Sequence, residues 1–233
     1  MVLRRLDRGV LCIGQPAHAW LSGQLARAWA APFEPRDEIC LAVGQHDLGM
    51  AAWDAAPTLN PETGFPHSFL EMPLETHLRL WSRAPELALS QSRWVGLLVS
   101  MHGAALYAGR RGEPGVGEFL DAQARLQADL RASLGVSEEN ATRHQRRLAA
   151  WDWMSLALCM DRLPATVEEP ELEMRRGGDG AVIVDPWPFA AQAVDLRVEG
   201  RRLPEPFDDE EEMRKALADA EWVRLDFALR ASG

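Results

Sequence analysis

Leu41-Ala42-Val43-Gly44-Gln45-His46-Asp47-Leu48-Gly49 is a short apolar run that ends in adjacent imidazole and carboxylate groups and stops at a glycine. Ile39, Ala42, Val43 and His46 recur at the spacing of one helical face, so a helix is expected here with His46 pointing into the core. A buried histidine needs a polar partner. His46 and Asp47 at a helix end can offer a neutral imidazole and an ionised carboxylate to a hard or borderline divalent metal. The same dipeptide also fits a satisfied core histidine beside a helix-terminal aspartate.

Working outward, Pro16 to about Ala31 carries His18, Leu21, Leu25, Ala28 and Trp29 on one face, with Pro16 allowed in the first turn. Pro32 ends that helix, and Asp37 is placed to cap the next. A further helix from about Leu74 puts His77 beside Leu78 and Trp81 and is expected to stop near Pro85. Gln91 to Tyr107 shows a continuous stripe of Trp94, Leu97, Leu98, Met101, His102 and Ala105. Phe119, Gln123, Leu126 and Leu130 mark another helix ending near Gly135. Ser137, followed by Glu138 and Glu139, opens the last long helix, where Asp152 sits among Leu148, Trp151, Ser155 and Cys159. Each imidazole alone is as readily a core residue. Together, His18, His46, His77 and His102 on inward faces, with a buried carboxylate at Asp152, are explained jointly by convergence on metal.

The loops offer weaker signals. Residues 50 to 73, rich in proline, should form a long ordered loop on which Trp53 and His67 either line a site entrance or anchor the chain. Arg110 and Arg111, in the glycine-rich stretch 109 to 117, either contact an anionic substrate or belong to a solvated connection. After Pro164 the texture becomes strand-like at 172 to 176, 181 to 184, 194 to 198 and 222 to 229. A turn is expected at Gly177 to Gly180, and a helix at 208 to 220. Asp185-Pro186-Trp187-Pro188-Phe189 reads as a stiff aromatic segment docking this sheet on the helices. Residues 2 to 13 stay open between a strand and an irregular lead-in. The expected architecture is therefore a mostly α core over residues 1 to 165 and a small α+β appendage over 166 to 233.

Composition narrows the function. The 233 residues carry a net charge of −10, and Lys215 is the only lysine, which disfavours general nucleic-acid or anionic-membrane binding. Cys12, Cys40 and Cys159 are odd in number and embedded in apolar segments, which suits reduced thiols and a cytoplasmic location. No signal peptide and no apolar run long enough to span a bilayer is expected.

The ordered set His18, His46-Asp47 and Asp152 on successive helices resembles the HD-domain superfamily of helical metalloproteins, over roughly residues 16 to 162. The resemblance implies an HD-like helical fold in which His18, His46, Asp47 and Asp152 bind a divalent metal, most often for phosphoester hydrolysis. His77 and His102 further resemble the dinuclear branches, in which Asp47 would bridge two ions. The whole chain, with Gln-His-Asp-Leu-Gly, Trp-Asp, Val-Ser-Met-His-Gly and Asp-Pro-Trp-Pro-Phe, also looks like a bacterial family of unknown function. The expected activity is hydrolysis of a small phosphoester using one or two Fe, Mn or Zn ions, with His46 and Asp47 central to catalysis. A di-iron oxygenase of a small polyol or phosphonate and a non-catalytic small-molecule sensor remain the alternatives.

Overall fold

The computed structural model describes residues 1–232. The helices form where their sequence signals put them, with two corrections in the first pair: the first ends at Ala28, short of Pro32, and the next begins at Arg36 with Pro35 as its N-cap, so Asp37 lies in the first turn instead of capping it. Helix α1 (Gln15–Ala28) starts on Pro16, α2 (Arg36–Gln45) ends with His46 as its C-cap, and a short α3 (Ala51–Ala55) interrupts the loop that follows. Helices α4 (Leu74–Leu89), α5 (Arg93–Tyr107), α6 (Val116–Leu134) and α7 (Glu138–Cys159) complete the helical layer. Ser137 caps α7 by accepting from the Asn140 N–H at 3.1 Å, and Gly135 closes α6 at φ +67°, where a side chain would be strained. Helix α4 does not stop at Pro85. It continues for a further turn because Ala84, Pro85 and Ala88 are buried in the packing with α5, which offsets the lost backbone donor.

The strands change the architecture that the periodicities suggested. β1 (Val2–Arg5) and β2 (Val10–Ile13) form a hairpin, and β3 (Leu59–Asn60) pairs only with β4 (Phe65–Pro66). β5 (Ala165–Glu168), β6 (Glu171–Arg176), β7 (Val182–Asp185), β8 (Ala193–Leu203) and β9 (Trp222–Ala231) follow, with α8 (Glu210–Asp219) between the last two. One seven-stranded sheet runs in the order β1-β2-β8-β9-β7-β6-β5, antiparallel except for the β7–β9 pair. The N-terminal hairpin joins it through Val10 opposite Leu203 and Cys12 opposite Arg201. A mostly α fold with a small appendage is therefore incorrect. The molecule is α+β, 52% helical, with a large curled sheet, and that sheet also overturns the HD-domain resemblance, which requires a helical core.

Helix α1 packs on β8, and α7 on β1 and β5, so the sheet's inward face covers the helices that carry His18 and Asp152. Along β8 the alternation Val194, Leu196, Val198 supplies that face. One hydrophobic core runs from Val2 and Ile13 through the helices to Leu229. The Pro186–Phe189 segment docks as its aromatic content suggests. Ala30 N–H donates to Pro188 O and Ala190 N–H to Ala28 O, and Trp29 stacks edge-to-face on Phe189 and Trp151 at 5.3 and 5.6 Å. Such aromatic pairs contribute about 0.5–1.5 kcal/mol each beyond their burial. No helix among the described residues is long and apolar enough to cross a membrane.

Candidate metal centre

Helices α1 and α2 approach closely where Gly23 faces Gly44, with Gly44 Cα only 3.0 Å from where a Cβ on Gly23 would sit. That approach brings His18 to His46, whose rings meet edge-on at 5.1 Å. Helix α5 adds His102, its ring 4.7 Å from that of His46, and α7 adds Asp152. Two overlapping groups of donors result: His18, His46 and Asp47, and His46, His102 and Asp152, each with its ligating atoms within 4.8 Å of one another.

The outer hydrogen bonds orient these rings. His46 Nδ1 lies 2.7 Å from the Val43 carbonyl, which only accepts, so the ring donates there and turns Nε2 toward the carboxylates. His46 Nε2 is buried without a geometrically acceptable hydrogen-bond partner, 3.3 Å from Asp152 Oδ1 and 3.6 Å from Asp47 Oδ2. His18 Nδ1 is 2.8 Å from Ser155 Oγ, and its Nε2 is 2.6 Å from Asp47 Oδ2. Ser155 in turn donates to the Asp152 carbonyl, and Ser22 donates to Ser155. These partners fix the orientation of the rings, an arrangement also found around metal-binding histidines.

The electrostatics couple the imidazoles to the two carboxylates. Burial works to lower the His46 pKa, but the Asp47 and Asp152 carboxylates overcome it and raise it to about 9. Burial works to raise both carboxyl groups, yet the surrounding imidazoles, His46 foremost, hold Asp47 and Asp152 below the usual carboxylate range. His102 is pushed down to about 4 by burial and then by the His46 charge. Imidazole nitrogens and carboxylate oxygens with no thiolate fit Mn, Fe or Zn.

A cavity of about 310 Å³ opens onto the cluster, its lining made of the polar His18, Asp47, His102 and Asp152 and of the apolar Phe69, Leu70, Met72, Leu74, Leu106 and Leu156. The Asp152 side chain, 15% exposed, faces it. Gln15, His77, Trp81, Tyr107 and Arg110 complete the wall.

The remaining sequence candidates divide. His77 lines the cavity, but both its ring nitrogens are engaged, Nε2 by the Trp81 indole N–H at 3.0 Å and Nδ1 by the Tyr107 hydroxyl. It stands outside both donor groups. Arg110 lines the cavity while holding Glu113 through two 2.7 Å bonds. Arg111 turns away to Asp121, and His67 is bonded to Thr58 Oγ1 on the β3–β4 side. Trp53 packs against the core outside the cavity. Its neighbour Asp54 holds the Met1 amino group at 2.6 Å and the Gln15 N–H at the start of α1. Sequence reasoning passed over Ser22 and Tyr107, and gave Ser155 no role. The available signal was Ser22 one turn beyond His18, and Ser155 beside Asp152, on the same inward faces.

Set against known families, the sequence matches the model described as "Protein of unknown function (DUF3891)" over residues 1–205. The chain belongs to this family. No curated protein and no solved structure matches it.

Proposed function

We propose that this member of the DUF3891 family is a metal-dependent hydrolase of a small phosphoester, with His18, His46, Asp47, His102 and Asp152 holding a divalent ion of Mn, Fe or Zn. The observation that carries the reading is His46 Nε2, buried, unbonded and facing two carboxylates while its other nitrogen is committed to Val43. Such an arrangement calls for a cation, either a proton on His46 or a metal. His46 is common to both donor groups, and a single ring nitrogen binds one ion, which favours one metal over two. The engagement of His77 by Trp81 and Tyr107 further weakens a second ion, and with it the di-iron alternative.

A divalent ion held there supplies Lewis-acid stabilisation of developing negative charge and lowers the pKa of a water. The chain's own residues do the rest. Val43 and Ser155 keep two imidazoles in the ligating orientation. Phe69, Met72 and Leu74 contribute apolar lining to the cavity. The cavity volume suits a small substrate, and Arg110 favours an anionic one, its charge being shared with Glu113. The acidic net charge argues against a nucleic-acid substrate, and the buried free thiols Cys12, Cys40 and Cys159 suit a reducing cytosol.

Metal analysis of protein purified without chelators, beside an Asp47→Ala variant, tests the centre. The expected result is bound transition metal in the parent only, with phosphate release from a phosphoester panel that depends on that metal. Substrate-dependent oxygen uptake instead would shift the reading to an oxygenase, and absence of metal from the parent would favour a sensor or structural module.

A further inference from the structure

Trp81, His77 and Tyr107 form a hydrogen-bonded chain along the cavity wall. The Trp81 indole nitrogen is 3.0 Å from His77 Nε2, and His77 Nδ1 is 2.5 Å from Tyr107 Oη. An indole N–H can only donate, so Nε2 must carry a lone pair. The ring is then neutral, its one proton lies on Nδ1, and that proton is donated to the tyrosine oxygen. Burial acts in the same direction, holding the His77 pKa below its ordinary value. The Tyr107 oxygen is thereby an acceptor toward His77, and its own proton needs a different acceptor. Among the described residues, His77 is the only hydrogen-bond partner of that hydroxyl. Tyr107 lines the same cavity as His18, Asp47, His102 and Asp152, so the cavity is where the proton can be used.

We propose that Tyr107 presents its hydroxyl proton to an oxygen of an oxyanionic ligand bound in the His/Asp cavity, as a fixed hydrogen-bond donor aimed by Trp81 and His77. The proposal rests on the reading of the cavity as the site of a phosphoryl ligand. The chain also determines what Tyr107 does not do. A proton passed to a leaving group could be replaced from His77 only by making an imidazolate, and the indole beyond it has no proton to give at neutral pH. Burial keeps the phenol protonated by raising its pKa. The chain behind Tyr107 is therefore no proton relay, and the part proposed for the hydroxyl is charge stabilisation. Trp81 and His77 are positioning residues that act through it.

Two measurements on the full chain test this. Long-range proton–nitrogen NMR of the metal-free protein should show His77 neutral at roughly neutral pH, protonated on Nδ1 and bare on Nε2. A proton on Nε2, or an imidazolium, overturns the proposal. Inorganic phosphate titrated into the Mn- or Zn-loaded protein should bind about tenfold more weakly to Tyr107→Phe than to the parent, at unchanged metal content, as expected for loss of a hydrogen bond to a charged group. Equal affinity overturns the proposal, as does a loaded parent that binds no phosphate. A parent that takes up no metal defeats the metal-centre reading instead, and the His77 tautomer then decides the donor arrangement by itself.

Discussion

His46 Nε2 lies 3.3 Å from Asp152 Oδ1 while His46 Nδ1 is tied to the Val43 carbonyl, so one imidazole is held between a neutral acceptor and a partly buried anion. Without metal, a proton on Nε2 reconciles the two, and the Asp47 and Asp152 carboxylates that favour it raise His46 to about 9 despite its burial.

The pH dependence of stability follows. His46 in the fold keeps a proton that the unfolded chain releases near 6.5, so its contribution is complete below 6.5 and is lost as pH rises through about 9. His102 runs the other way. Its folded value of about 4 means that its contribution falls as pH drops from 6.5 toward 4, because the unfolded chain takes up a proton that the fold refuses. The combined contribution of the two groups peaks near 6.5. Thermal midpoints of the metal-free protein should decline on the alkaline side, and a midpoint that climbs steadily to 9 would remove the charged form of His46. A metal entering at neutral pH must displace that proton, so calorimetry in buffers of different ionisation enthalpy should register about one proton released per ion.

Ser155 lies behind His18, where it keeps the ring turned toward Asp47. Ser155→Ala should weaken metal binding by about 10- to 100-fold, the usual cost of losing an orienting hydrogen bond behind a ligand. Ser155→Thr should restore most of it. Titration with a competing chelator measures both, and unchanged affinity in the alanine variant would show that Ser155 serves packing alone.

The α1–α2 crossing gives an asymmetric test. A Cβ on Gly23 would lie 3.0 Å from Gly44 Cα, whereas one on Gly44 would find its nearest neighbour, Gly23 Cα, at 3.9 Å. Gly23→Ala should therefore lose about 1–3 kcal/mol through overpacking and move His18 away from His46. Gly44→Ala should be neutral, or stabilising by up to about 1 kcal/mol through helix propensity. Denaturant midpoints in the reverse order would contradict this account of how the ligands are brought together.

The same crossing shows where local sequence signals stop. Inward spacing on helices was enough to single out His18, His46, His102 and Asp152, because burial of a polar side chain is a local property of one face. It also singled out His77, whose inward position is real but whose two nitrogens are taken by Trp81, one turn away, and Tyr107, on another helix. Periodicity cannot separate a ring held by an indole from one free to bind metal. The sheet was legible at β8 and β9, where long alternating runs carry the pattern, and not at β1, β2 or β5, each four residues long. Val10 pairs with Leu203, a partner that no local window contains. The fold class was misread because that pairing makes the N-terminal hairpin part of the sheet, which extends across both ends of the chain.

Asp47→Asn separates the electrostatic argument from the structural one. The carboxylate is held below its usual range because His46 and His18 outweigh the effect of burial, so in the fold it is an anion that partly charges His46. Replacing it with a neutral amide of the same shape removes one of the two anions that raise His46. The His46 pKa should then fall back from about 9, and the alkaline decline in stability should begin at lower pH and be smaller. The stability that Asp47 itself contributes above 3.8, lost in the parent as pH falls through the depressed value, should also disappear. The fold should survive, because His46 can lose its proton and no uncompensated buried charge is left. Far-UV circular dichroism should therefore match the parent while metal content drops to background. Full metal stoichiometry in Asp47→Asn would exclude this carboxylate as a ligand, and an unchanged alkaline limb would mean that Asp152 alone sets the charge on His46.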